Sequence, residues 1–411
     1  MRNRLDLAIV VAVAAIANFS YLILSKGDFY YPDSFTYLAP ARNLLQGLGF
    51  VDHLHQVETI RTPGYPLLLA LFGARTLPVI ILQHLLNVFL AAGIYLFVLH
   101  RIKIRSAALL ASILFSIDAP TLHYANKLLT EAPFTVVLYV LFVLALQRTR
   151  PILLGLLTGV LVLIRPIALL YFVAVALFLA LQRIPRRKMI VFIAVALILP
   201  AGWAGRNRLR TGVFTISSIA GFNMLGYRAG GTLAIEDEGD FRKAVAEEEE
   251  ALSDEADDEI QARLHIEDAR ELPDTLRAKY YSEIAWRIIR EHPLSFLQLT
   301  VRGLMVNLFD SDWDAIWNIS QVSPAVLELF YGALTIVVFA LATIGVILLW
   351  KIDRPMALMI ILTVGYFIGI SAGGEAESRF RVPVVPQLMI AAAMGVEAVR
   401  RGVAAAPACA E

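Results

Sequence analysis

The chain has 411 residues, is 58% hydrophobic and carries a formal net charge of +1. Its mean hydropathy of +0.67 excludes an ordinary water-soluble domain. The single cysteine, Cys409, excludes an internal disulfide and a cysteine-built metal cage.

Several apolar runs reach the roughly 17–25 residues that a helix needs to cross about 30 Å of hydrocarbon. The sequence therefore predicts an all-α polytopic membrane protein with about ten transmembrane helices. In chain order the predicted spans are 7–24, 77–99, 106–117, 131–147, 151–164, 167–182, 189–204, 324–350, 355–372 and 382–399. The first follows Arg2 and Arg4 and contains Ala15-Ile16-Ala17, as a secretory signal would. Its apolar run is long for a signal, so it is read as an uncleaved anchor. The connection 26–76 is polar and aromatic. Within it Tyr37, Leu38, Ala41, Leu44 and Leu45 recur at helical spacing, which predicts a helix lying at the interface. A 131–147 span follows a polar turn at 118–130. The 151–164 run covers only about 21 Å as a helix, so it is expected to stop at Arg165-Pro166 inside a recess.

Basic clusters at 2–4, 101–105, 148–150, 183–188, 351–354 and 400–401 all fall on one side of this arrangement. The positive-inside rule makes that side cytoplasmic, with both termini there. It puts Asp33, Glu131, Arg165, Arg379 and the region 205–323 on the extracytoplasmic side of a plasma (inner) membrane. Three parts result: an N-terminal transmembrane module 1–204 with the outer loop 26–76, an extracytoplasmic insertion 205–323, and C-terminal helices with a short cytoplasmic tail, 324–411. Within the insertion, 236–259 holds thirteen acids against Arg242 and Lys243. Such a run is a solvated face or, alternatively, a divalent-ion or cationic-partner surface. Leu276, Tyr280, Ile284 and Ile288 suggest an amphipathic helix covering the membrane core.

Chemistry is expected around Asp33, in Tyr30-Tyr31-Pro32-Asp33-Ser34-Phe35-Thr36-Tyr37. A carboxylate among aromatics at a bilayer surface is costly unless it is paired or used, and in a partly dry pocket it can act as a general base. Glu131 opens a span after Thr130. It reads either as a first-turn acid favoured by the helix dipole and capped by Thr130, or as a second pocket acid orienting an acceptor or a metal. Arg61, Arg165, Arg206, Arg208 and Arg379 run against the charge bias of the outer side and suit a lipid phosphate; the alternative is snorkelling to headgroups. Tyr37, Tyr65, His53 and Asn207 are candidate sugar or acceptor contacts. His53 and His55, with Asp52 and Glu58, could suit a metal, though an exposed polar loop explains them as well. A divalent metal is thus possible but not indicated. No Gly-rich nucleotide loop is present, which argues against a nucleotide-sugar donor, and no basic face suited to nucleic acid.

These residues resemble the membrane-embedded GT-C glycosyltransferases related to protein O-mannosyltransferases and to lipid A aminoarabinose transferases (glycosyltransferase family 39 and its bacterial relatives). The matching stretches run from Pro32-Asp33-Ser34-Phe35-Thr36-Tyr37 through Ala41-Arg42-Asn43-Leu44-Leu45-Gln46-Gly47 and Arg61-Thr62-Pro63-Gly64-Tyr65-Pro66. They continue with Leu129-Thr130-Glu131-Ala132-Pro133, Leu163-Ile164-Arg165-Pro166, Trp203-Ala204-Gly205-Arg206-Asn207 and Glu377-Ser378-Arg379-Phe380-Arg381-Val382-Pro383. The resemblance implies inverting transfer of a monosaccharide from a polyprenyl-phosphate donor to a lipid, glycan or protein acceptor. It implies Asp33 as base, Glu131 as second acid and Arg61 near the lipid phosphate. Many relatives carry Asp-Glu at the first stretch; here Ser34 follows Asp33, so no pair of adjacent carboxylates exists there. The competing readings are a secondary transporter or lipid flippase and a ligase of lipid-linked polymers.

Overall fold

The computed structural model describes residues 2–147, 150–235, 240–310 and 322–405. Cys409, the first two residues of the 148–150 basic cluster and the start of the acidic run at 236–239 lie outside the described residues.

Helix α1 (Arg2–Leu24) buries Asp6, Val10, Ala14, Asn18 and Tyr21, one stripe three or four residues apart, and leaves its other faces to lipid. The connection that follows, the expected outer loop, contains α2 (Ser34–Leu45) and α3 (Gly64–Leu71). Next come α4 (Thr76–Arg101), α5 (Arg105–Ser116), α6 (Ala119–Ala125), α7 (Glu131–Gln147), α8 (Pro151–Ile164) and α9 (Tyr171–Leu181). Helix α10 (Arg186–Thr211) passes the expected end of its span at 204 and stops where Gly212 turns left-handed, at φ 80°. The outer region holds α11 (Ile219–Asn223), a wide π-helical turn Met224–Gly230, α12 (Gly231–Ala234), α13 (Phe241–Leu264), α14 (Asp274–Glu291) and α15 (Pro293–Phe309). The chain closes with α16 (Pro324–Ile352), α17 (Arg354–Ile370) and α18 (Val385–Ala405), the last entered through a 3-10 segment, Ser378–Val384.

Among the described residues, length and composition single out five helices able to cross a membrane unaided: Arg2–Leu24, Thr76–Arg101, Arg186–Thr211, Pro324–Ile352 and Ser378–Gly402. A sixth forms if α5 and α6, bent by 50° at their break, act as one span. The other segments of the ten-span expectation are shorter apolar helices of 10–17 residues.

Three apolar clusters organise the packing. The largest joins α1, α4, α5, α7, α8, α9, α10, α16, α17 and α18. A second gathers Tyr37, Leu38, Tyr65, Leu69, Ile80, Leu128 and Val382 under the outer loop. The third belongs to the outer region, where Leu225, Leu252, Ala256, Ile260, Tyr281 and Ala285 meet. That third cluster corrects the expected role of 275–298. The segment is two helices parted at His292-Pro293, and its first half covers α13 and the π-helical turn rather than the membrane core. Its fully buried face is Thr275, Ala278, Tyr281, Ile284, Ala285 and Ile289, while Leu276, Tyr280 and Ile288 are only half-buried.

Several polar side chains inside the bundle pair with one another or with backbone carbonyls, as a medium without water favours. Asn18 donates to the Ala14 carbonyl, Asn87 donates to Asn18 Oδ1 at 3.2 Å, and His84 bridges Asn18 and Asn126. Gln83 donates to the carbonyls of Ala125 and Lys127 at 2.8 and 2.7 Å. This fixes the turn between α6 and α7, and with it the start of α7.

Candidate active site

Asp33 stands at the N-terminal boundary of α2 but makes no capping hydrogen bond with its side chain. Asp118, by contrast, caps its helix by accepting from Thr121 N. The Asp33 carboxylate is instead held from both sides. Arg61 donates to Oδ1 at 2.7 Å and Arg379 donates to Oδ2 at 2.9 Å. Arg379 continues inward, its Nε donating to Glu131 Oε1, and Arg165 donates to that same oxygen at 2.8 Å. Five residues scattered from position 33 to 379 thus form one alternating chain: Arg61, Asp33, Arg379, Glu131, Arg165. Three cations against two anions leave one positive charge unbalanced.

Each member is fixed by local structure. Ser34, wholly buried, accepts from Tyr31 N at 2.9 Å and donates to the Leu128 carbonyl at 3.0 Å. It staples the Asp33 turn to the strand of chain that leads into Glu131. The serine that replaces the expected second acid therefore has a structural task. Arg61 also donates to Thr36 Oγ1 at 2.8 Å and to the Tyr37 hydroxyl at 3.3 Å, with its guanidinium 4.6 Å from the Tyr37 ring. Gly64 lets α3 touch the end of α8, because a Cβ there would lie 2.6 Å from the Leu163 carbonyl oxygen. That contact brings the Arg61 turn beside Arg165. Arg165, where α8 ends in extended backbone, lies against the Phe134 and Phe380 rings. Arg379 rides on the 3-10 segment, which Arg381 ties down by donating to the carbonyls of Asn307, Leu308 and Asp310.

Exposure separates the two acids. The Glu131 side chain is 0% exposed and that of Asp33 32%. A bound molecule could touch Asp33, whereas Glu131 lies behind Arg379 as a positioning residue. Glu131 Oε2 and Thr130 Oγ1 are buried without hydrogen-bond partners, so the expected capping of α7 by the Thr130 hydroxyl is not made. Burial works to raise the Asp33 carboxyl, but the charges and hydrogen bonds of Arg61 and Arg379 outweigh it and hold it down to about 2. A resting carboxylate of that kind is a weak base.

The remaining candidates divide. Tyr37 belongs to the cluster through Arg61. Tyr65 packs edge-on to Tyr37 but is buried, its hydroxyl donating to Gln83 Oε1 at 2.7 Å. Arg206 and Asn207 are committed elsewhere. Arg206 donates to the carbonyls of Phe50 and Glu58 and to Asn207 Oδ1, while Asn207 donates to the Thr215 carbonyl. They brace the outer loop from α10. His53 is exposed in a turn organised by Asp52, and Arg208 is exposed as well. Among the described residues no three of His, Cys, Asp and Glu come together in a way that could hold a metal ion.

The structure adds residues that sequence patterns did not single out. Glu377 accepts the Tyr31 hydroxyl at 2.8 Å and that of Tyr124 at 3.3 Å, and the Tyr31 ring lies 5.0 Å from the Arg379 guanidinium. The outer region reaches the same place through the π-helical turn. Arg228 donates to the carbonyls of Ile370 and Ala372 and to Glu375 Oε1. The signal for Tyr31 and Glu377 is adjacency, Tyr31 lying two positions from Asp33 and Glu377 two from Arg379. Arg228 carried no comparable signal.

The helical bundle has a GT-C-like fold, by its likeness to solved structures. Similar solved structures include the archaeal oligosaccharyltransferase AglB from Archaeoglobus fulgidus, in complex with an inhibitory peptide and a dolichol-phosphate. It aligns over 100% of this chain and 52% of its own, with a TM-score of 0.51 and 13% identity. The chain thus spans about half the length of that structure. ArnT from Cupriavidus metallidurans, bound to undecaprenyl phosphate, aligns over 96% of this chain and 78% of its own, with a TM-score of 0.42 and 11% identity. No protein-family model and no curated protein matches the sequence.

Proposed function

We propose that this chain is an inverting membrane glycosyltransferase. It moves a monosaccharide from a polyprenyl-phosphate donor to a lipid, glycan or protein acceptor at the extracytoplasmic face, with both termini cytoplasmic. The observation that carries the proposal is the chain Arg61–Asp33–Arg379–Glu131–Arg165, with Asp33 as its exposed acid. Its surplus positive charge suits an incoming phosphate. The shared fold with a structure in complex with a dolichol-phosphate agrees with that reading.

The donor phosphate takes Arg61 and Arg379 as ligands and draws them from Asp33. Losing two cationic partners raises the basicity of the carboxylate, so the base becomes competent when donor is present. The acceptor oxygen attacks the anomeric carbon while its proton passes to Asp33. The bond from that carbon to the phosphate oxygen breaks on the opposite face, and polyprenyl phosphate leaves with the electron pair, held by the arginines. One displacement inverts the anomeric centre. Glu131, itself held by Arg165, keeps its bond to Arg379 Nε while Nη1 turns from Asp33 to the phosphate.

Reconstituted protein tests this in two assays. Asp33→Asn is expected to lower transfer from a polyprenyl-phosphate sugar by at least about 100-fold while leaving undecaprenyl phosphate bound. Arg61→Gln is expected to weaken binding of undecaprenyl phosphate itself. Small-solute uptake into proteoliposomes that survives Asp33→Asn, with no sugar transfer by the parent chain, would favour the transporter reading instead.

A further inference from the structure

At the ends of α8 and α10 remote from Asp33, the two helices part and leave a groove of about 750 Å³. The two are locked together farther along, where a Cβ on Gly155 would lie 2.8 Å from the Phe192 carbonyl oxygen and one on Gly159 3.2 Å from that of Ala196. Small residues four apart permit this close crossing of helices in a membrane. Toward their N-termini the helices splay. Arg150, Arg187 and Lys188 line the groove together with Ile152, Leu156 and Val191. Among the described residues none of the three cations forms an ion pair.

The position of the groove along the bundle follows from the same helices. The far end of α8 delivers Arg165 to Glu131, and the far end of α10 delivers Arg206 to the outer loop. Fourteen residues of α8 separate Arg150 from Arg165, about 21 Å of helix. The groove therefore opens at the opposite membrane surface from the acid–arginine chain. An anion with an apolar tail fits such a lining. Three unpaired cations and two helix N-termini meet its charge, and the apolar wall continues toward the bilayer interior.

We propose that this groove binds an anionic phospholipid, its phosphate between Arg150, Arg187 and Lys188 and an acyl chain along Ile152, Leu156 and Val191. The site is independent of the glycosyl-transfer reading. An occupant here wedges between the two helices whose other ends support Arg165 and the outer loop.

Native mass spectrometry and thermal unfolding of the full chain in non-ionic detergent test this, with phosphatidylglycerol, phosphatidylcholine or inorganic phosphate added. Phosphatidylglycerol is expected to remain bound and to raise the unfolding midpoint, and phosphatidylcholine and inorganic phosphate to do neither. Combined Arg150→Gln, Arg187→Gln and Lys188→Gln should lower phosphatidylglycerol occupancy at least tenfold. Leu156→Trp, which fills the groove and keeps its charges, should lower it too, covering the case in which the triple variant fails to fold. Arg61→Gln should leave occupancy unchanged, separating this groove from the outer arginines. Equal retention of phosphatidylcholine, an equal shift with inorganic phosphate, or wild-type phosphatidylglycerol occupancy in the folded variants would overturn the proposal.

Discussion

Arg379 is the only residue of the site that touches both acids, so a double-mutant cycle with Glu131 measures what the chain of charges contributes. Arg379→Gln removes one of two cations from a carboxylate that has no exposure to water. Breaking a buried ion pair costs about 3–5 kcal/mol, and because Arg165 remains on Glu131 the expected loss is at the low end, about 3 kcal/mol. Glu131→Gln keeps an acceptor oxygen for both guanidiniums but replaces a charged acceptor with a neutral one in two hydrogen bonds, a loss of about 2 kcal/mol in all. The local charge is +1 in the parent, from three arginines and two acids. It becomes 0 without Arg379, +2 without the Glu131 charge, and +1 again when both change. The double variant should therefore lose about 3 kcal/mol instead of about 5, a coupling of about 2 kcal/mol. Equilibrium unfolding of the four proteins in one detergent, followed by helical circular dichroism, provides the comparison. Losses that add to within about 0.5 kcal/mol would mean that Glu131 and Arg379 do not sense each other, and the argument for a linked site would fail.

Two further outcomes follow from individual residues. Glu58 is buried in the outer loop, accepting the backbone N–H of Arg61 at 2.8 Å, and burial pushes its carboxyl up to about 7 from 4.5. Between pH 4.5 and 7 the unfolded chain releases this proton before the folded one does, so stability should fall as pH rises through that window, by up to about 3 kcal/mol. Glu58→Gln should flatten the dependence, and a pH profile identical to the parent would refute it. Gly64→Ala should force α3 away from the end of α8 by pressing on the Leu163 carbonyl. The expected cost is about 1–3 kcal/mol, together with weaker undecaprenyl phosphate binding as Arg61 shifts; unchanged binding and midpoint would contradict the packing argument.

Much of the helical order was legible because the apolar periodicity of a membrane chain is strong and local. The segments at 131–147 and 151–164 are observed at those bounds, and the stop at Arg165-Pro166 is where α8 ends. Prolines and cations mark these ends for steric and solvation reasons that need no tertiary partner. The helix within 118–130 was read as a turn because its polar residues lie between two apolar runs. Two of them, His123 and Asn126, are polar because they pair with Tyr21 and His84 across the bundle.

The candidate site divides in the same way. That Asp33, Glu131 and the arginines at 61, 165 and 379 are the charges to look at was readable from charge placed against its cost near a membrane, and the structure pairs them. Their division of labour was not readable. Which acid meets solvent depends on burial, and that Arg206 braces a loop instead of facing Asp33 depends on partners more than a hundred residues away in sequence.

The sequence by itself thus determined an apolar helical chain and the stock of charges that such a chain must pair, since the free energy of placing a residue in lipid or water belongs largely to that residue. Only the tertiary structure decided which charge pairs with which. Coulomb energies and hydrogen bonds depend on ångström distances between segments, and those distances are set by how α3, α8 and the Ser378–Val384 turn pack together.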